Sequence, residues 1–190
     1  MRVGLCVLAA LLLAWPAHGQ SGGLPPEWEV RQDMATLCEH VQRFKPLLDQ
    51  AKPGNWRGAP AAYVDQGQRV GAETEYLIGA AQTLAGHPQT LTSALTTYFR
   101  MQSVDLLLRS YAEGIRKYQS PALAEQLLAA LTSAAADREK LRQYIVDLAA
   151  NKEQECRVMD EEAQRCRGML SRESRGVPKT GSQPQKEAHQ

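Results

Sequence analysis

From position 30 onward, apolar side chains recur at intervals of three and four. Val30, Met34, Leu37, Val41, Phe44 and Leu48 alternate steps of four and three, which lines all six along one face of an α-helix. Pro46 interrupts this stripe, so the last turn is expected to kink or end early. Residues 52–60 then crowd Pro53, Gly54, Gly58 and Pro60 around one large apolar group, Trp56. A loop is expected there, with the indole plugging the edge of the core rather than stacking on a ligand. A second helix should open near Pro60, a favoured first-turn residue, and run to about Ala85, ahead of Gly86 and Pro88. Its face combines Tyr63, Val70, Leu77, Ala81 and Leu84 with Gly67, Gly71 and Gly79. An interior glycine costs a helix about 1 kcal/mol against alanine, so three on one side predict close approach of a neighbouring backbone.

A third helix is expected over residues 88–118. Leu91, Leu95, Tyr98, Phe99 and Leu106 lie on one side of it, and Val104, Leu108, Tyr111 and Ile115 on another. A helix apolar on most sides reads as a central one. Asp105 and Arg109, spaced i, i+4 within this surround, are expected to form a structural ion pair. Ser120 followed by Pro121 is a good helix start. From there to Leu170 the chain has no proline and only Gly168 as glycine, so up to about 50 residues form one helix roughly 75 Å long, or the helix breaks. A run of cap-forming residues at 132–137 predicts a break. Beyond it the stripe Leu141, Ile145, Leu148 shifts to Ala149, Cys156, Met159, Ala163, Cys166 and Leu170. Glu153 with Arg157, and Glu161 with Arg165, lie on the outer face in the stabilising order. The pattern predicts an all-α protein, an antiparallel bundle of four to five helices.

The ends of the chain read differently. Met1 and Arg2 precede an apolar run over residues 3–15, and Pro16, Ala17, His18 and Gly19 bring small residues and a break. This is the layout of a cleaved secretory signal peptide, residues 1–19. Its apolar run is too short for a membrane-spanning helix, which needs roughly 20 residues, and nothing later is apolar enough, so the mature form is expected to have no transmembrane span and to be secreted or periplasmic. Residues 20–26, with Gly22, Gly23, Pro25 and Pro26, read as a flexible lead-in. Residues 27–170 read as a single helical bundle domain. Residues 171–190 have almost no apolar side chains and are expected to form a disordered tail.

Charge narrows the partners. Of the 22 Lys and Arg, Arg2 leaves with the leader, so the remaining 21 equal the 21 Asp and Glu. That balance argues against nucleic acid, whose phosphates call for a cationic surplus. Cleavage leaves Cys38, Cys156 and Cys166, in a compartment where disulfides form. Cys156 and Cys166 are about 15 Å apart on a continuous helix, beyond the roughly 7 Å that a disulfide tolerates. A bridge would therefore join Cys38 to one of the two, which a straight last helix disfavours because residues near Lys140 would lie level with Cys38; the alternative is free thiols. Cys38 and His40 point about 200° apart on a helix, so they do not form a zinc pair. No haem attachment, di-iron, nucleophile-elbow, zinc-protease or phosphate-loop motif occurs. No cofactor, metal or catalytic residue is assigned. The expected function is a non-catalytic exported bundle acting through an unknown protein partner, as a structural, adaptor or chaperone-like component. The alternative is a small-ligand or metal binder, with a cavity near the glycine stripe, Tyr63 and Tyr76. The sequence leaves the oligomeric state open.

Overall fold

The computed structural model describes residues 23–176. The leader, the first residues of the lead-in and residues 177–190 lie outside the described residues. The chain is all-helical, with α1 (Glu27–Gln42), α2 (Phe44–Gln50), a 3-10 turn (Pro53–Asn55), α3 (Ala62–Gly86), α4 (Leu91–Tyr118), α5 (Pro121–Ser133) and α6 (Ala135–Gly176). Side-chain contacts fix the directions of these helices. Arg31 of α1 donates to the carbonyl of Ala85, at the far end of α3. Gln66 and Glu73 of α3 meet Ser110 and Arg100 of α4, and Asp33 of α1 meets Lys140 of α6. Each pairing is antiparallel. The result is an up-down-up-down bundle of four columns, α1 with α2, then α3, then α4, then α5 with α6.

The three-and-four spacing positions most of the core. Val30, Met34, Leu37, Val41 and Phe44 are buried from the first column, and Val70, Leu77, Ala81 and Leu84 from α3. Pro46 does not end the first column, because it sits in the first turn of α2 after a one-residue joint at Arg43; a proline there gives up no intrahelical hydrogen bond. The helices α3 and α4 start two and three residues later than their prolines suggested, since Pro60 and Pro88 occupy the preceding turns. The central position expected for α4 holds on one side only. Val104, Leu108, Tyr111 and Ile115 are buried, whereas Phe99 is 58% and Leu106 70% exposed. The second side is only partly covered: Leu91, Leu95 and Tyr98 are half-buried, while Phe99 and Leu106 face solvent.

The last column both breaks and projects. At 132–134 the hydroxyls of Thr132 and Ser133 bond back to the carbonyls of Leu128 and Ala130, which competes with helix continuation, and Ala134 joins α5 to α6. From Pro121 to Leu148 this column has 28 positions, the same as the 28 residues of α4 beside it. Helices of equal rise end level, so Leu148 is the last fully buried residue. Helix α6 nevertheless runs on to Gly176, and every residue over 153–172 is exposed. Two expectations are corrected. The packed bundle stops near residue 148 instead of 170, because no neighbouring helix among the described residues extends further, and residues 171–176 continue the helix rather than beginning the disordered tail.

The glycine stripe of α3 is also corrected. Of its three members only Gly67 has a close neighbour, since a Cβ there would lie 2.8 Å from the Tyr111 hydroxyl; at Gly71 and Gly79 it would meet nothing within 4 Å. The tightest glycine is Gly114 of α4, where a Cβ would lie 2.4 Å from the Tyr63 ring. Gly79→Ala is accordingly expected to raise stability by about 0.5–1 kcal/mol through helix propensity, and Gly114→Ala to lower it by about 1–3 kcal/mol through overpacking. Thermal unfolding of the two variants checks both signs, and the same sign for both would contradict this packing.

Candidate interaction surface

Two polar contacts place α1 against α6. His40 Nδ1 lies 2.5 Å from the Asp137 carboxylate, and Lys140 Nζ 2.7 Å from that of Asp33. Asp137 is only 7% exposed and stands in the first turn of α6, where the helix dipole favours a negative charge. A carboxylate orienting an imidazole is half of a catalytic arrangement, yet no hydroxyl or thiol is hydrogen-bonded to the other ring nitrogen among the described residues. The pair acts as a clamp between the first column and the α5–α6 joint. The sequence signal for it was faint, since the partners are 97 positions apart and His40 alone looks like a surface residue. The expected Asp105–Arg109 pair is present, with two hydrogen bonds of 2.9 and 3.1 Å. Arg138 of α6 joins it at 3.4 Å, making the pair a second tie between α4 and α6.

The interior leaves little room for a ligand. The void among Leu37, Val41, Phe44, Leu77, Met101 and Leu131 is about 20 Å³, barely a water molecule. At the closed end of the bundle, Trp56 stacks between Tyr111 and Tyr118, with centroids at 5.8 and 6.2 Å, and tilts against Tyr63. Its indole N–H donates to Gln119 Oε1 at 2.7 Å, and the Gln119 amide donates back to the carbonyl of Gln50. The plug reading of Trp56 fits this arrangement. No cavity joins Tyr63 and Tyr76. Tyr63 belongs to the aromatic plug, while Tyr76 is exposed under the Arg100 guanidinium, 5.1 Å from its ring centre. No group of three or more His, Cys, Asp or Glu gathers as a metal site among the described residues.

At the opposite end a cleft of about 450 Å³ opens between the lead-in, α1 and α6, with Leu24, Val30, Met34 and Leu141 among its apolar walls. Its polar groups are largely committed. Asp33 holds Lys140, Asp147 accepts from Gln143, and Tyr144 donates to the Pro88 carbonyl. Tyr144 replaces Ile145 as the buried member of the α6 stripe. Burial raises its pKa, which keeps the phenol a donor.

Below this cleft α6 leaves the bundle as an arm. Met159 is 69% and Leu170 65% exposed, and Cys156 and Cys166 are exposed between and beside them. The three cysteines stand apart as free thiols. The bridge from Cys38 to Cys156 or Cys166 is not formed, for a reason of register. Asp137 lies beside His40, and α6 runs from there toward the start of α1, so Cys156 is about 28 Å further along. Cys38 is half-buried, and desolvation pushes its thiol pKa up, which disfavours the thiolate needed for metal binding or nucleophilic attack. No helix of the described residues is long and apolar enough to cross a membrane. No family model, curated protein or solved structure matches the chain. For the clamp, His40→Ala is expected to lower stability by about 1–3 kcal/mol by stripping a buried carboxylate of its partner. Denaturant unfolding should show a lower midpoint with an unchanged slope; an unmoved midpoint would mean that the pair does not hold α1 to α6.

Proposed function

We propose that this chain is an exported, non-catalytic helical protein that acts by docking another protein surface on the α6 arm. The observation supporting this reading is the contrast between a bundle with one continuous buried core and an arm exposed over residues 153–172 that still carries an apolar stripe. Most helical stability in proteins comes from packing of an apolar face, which the arm lacks, and its charged pairs, Glu161 with Arg165 and Lys152 with Glu155, contribute only a few tenths of a kcal/mol each. Exposed Met, Leu and Cys on a bare helix are what a helix-in-groove or coiled-coil contact uses. Export rests on the leader pattern of residues 1–19, and a structural, adaptor or chaperone-like role in the envelope or medium follows from the absence of a site constellation in the sequence.

The cleft near Tyr144 supports a second reading, a small-ligand binder, because its size falls in the range of ligand pockets. The internal pairing of its polar groups weighs against that reading, since a ligand would have to displace bonds already made. Recovery of bound protein with residues 20–190 as bait is expected to fall at least tenfold for Met159→Glu combined with Leu170→Glu, with the helical circular dichroism of the bundle retained. Undiminished recovery, or release of a small molecule from the wild-type protein on denaturation, would move the function from the arm to the cleft.

A further inference from the structure

The central part of the stripe on the arm, Cys156 to Cys166, places its residues at matching distances on either side of Glu161. With Cys156 and Ala163 at a positions and Met159 and Cys166 at d positions of a heptad, the order Cys, Met, Ala, Cys has near symmetry about Glu161. In an antiparallel pair of helices each a layer faces a d layer of the partner. Alignment about Glu161 therefore sets Cys156 against Cys166 of a second copy, Met159 against its Ala163, and the reverse of each. We propose that the arm's occupant is a second copy of this chain, paired antiparallel about Glu161 and closed by two Cys156–Cys166 disulfides between copies. This rests on the arm being the docking surface and on export to an oxidising compartment.

Three observations fit that register. A large Met opposite a small Ala fills each central layer, as interdigitating side chains require. Glu153 and Arg167 of the two copies, both exposed e positions, fall within one turn of each other at both ends, giving two opposite-charge pairs. They offset the like charges that Asp160 and Glu162 bring to the two-fold axis. The parallel alternative would stack Lys152 on its own copy and set Glu155 against Asp160, although it would also pair Glu162 with Arg167; the antiparallel register separates the two Lys152 residues, setting each against Leu170 of the other copy. Length also agrees, because alignment about Glu161 places residue 148, where the bundle ends, level with residue 174 of the second copy, near the end of α6. The arms then overlap fully with a bundle at each end.

Small side chains at three of the four seam positions in each copy, Cys156, Ala163 and Cys166, make the non-covalent seam weak, so the disulfides dominate its stability. Each bridge forms by exchange. The two thiols lose their protons, the two sulfurs join, and a small-molecule or protein disulfide accepts the electron pair and is released as two thiols. Two bridges per pair consume two such disulfides. Within one chain the same two thiols are about 15 Å apart along the helix and stay unjoined.

The test uses residues 20–190 with Cys38 in place, exposed to oxidised glutathione, followed by non-reducing electrophoresis, light scattering and peptide mapping. Wild type is expected to give a species of twice the monomer mass with a Cys156–Cys166 linked peptide. Cys156→Ser alone and Cys166→Ser alone are each expected to remain uncrosslinked, because identical cysteines lie about 15 Å apart in the antiparallel register. A mixture of the two variants is expected to restore a crosslinked dimer through a single bridge. Crosslinking of either variant alone through its remaining arm cysteine would show parallel pairing and overturn the proposal, as would a wild type that stays monomeric. If the Cys156→Ser, Cys166→Ser double variant still captures a different protein while wild type never self-associates, the docking role of the arm stands and self-pairing falls.

Discussion

The register between α1 and α6 is the constraint from which the rest of the molecule follows. The His40–Asp137 contact and the Asp33–Lys140 ion pair fix which residue of the last column lies beside which residue of the first. Once Asp137 is level with His40, Tyr144 reaches the Pro88 carbonyl at the open end of the bundle, and Leu148 becomes the last position with neighbours on its apolar side. Everything beyond has no helix to pack against. The arm is therefore a consequence of chain length acting on a fixed register: α6 has 42 residues, and the bundle occupies only its first third.

The same register explains the thiols. A disulfide within the chain would require α6 to turn back on itself after residue 148, but no proline or glycine stands between Ala149 and Arg167 to allow it. Cys38 faces the packed body and is kept protonated by burial, whereas Cys156 and Cys166 lie on the part of the helix that packs on nothing. One buried thiol is thus packing material, and two exposed ones sit where their chemistry is available to something outside the chain.

How much of this was legible from residues alone depended on whether the signal was local. The stripe from Val30 to Phe44, the break at 132–134 and the Asp105–Arg109 pair are written in spacings of three and four and in hydroxyl-bearing residues, and all appear in the fold. The Trp56 plug was legible because one large apolar group among breakers has nowhere else to go. The exposure of Phe99 and Leu106 was not, since periodicity marks which apolar residues share a face but not whether a neighbour covers that face. Nor was the close contact at Gly114, which depends on a Tyr63 ring some fifty positions earlier in the chain. The apolar stripe of the arm was visible as a shift after Leu148, whereas its exposure follows only from where the bundle ends.

The two ends of the bundle differ in a way that bears on function. At the end capped by Trp56, four aromatic rings and the Gln119 amide close the core, and the polar atoms of that cap bond to one another. At the other end the cleft, the lead-in and the arm emerge together, with Met, Leu and Cys facing water beyond the last buried layer. Contiguous exposed apolar surface marks a site of contact, and a helix that could have stopped at Leu148 without loss to the core instead continues to Gly176, about eight more turns. A segment that adds nothing to its own bundle, carries a regular apolar seam and is laced with charge on its remaining faces has a surface free for a contact outside that bundle, and the proposed pairing of two copies would cover that seam.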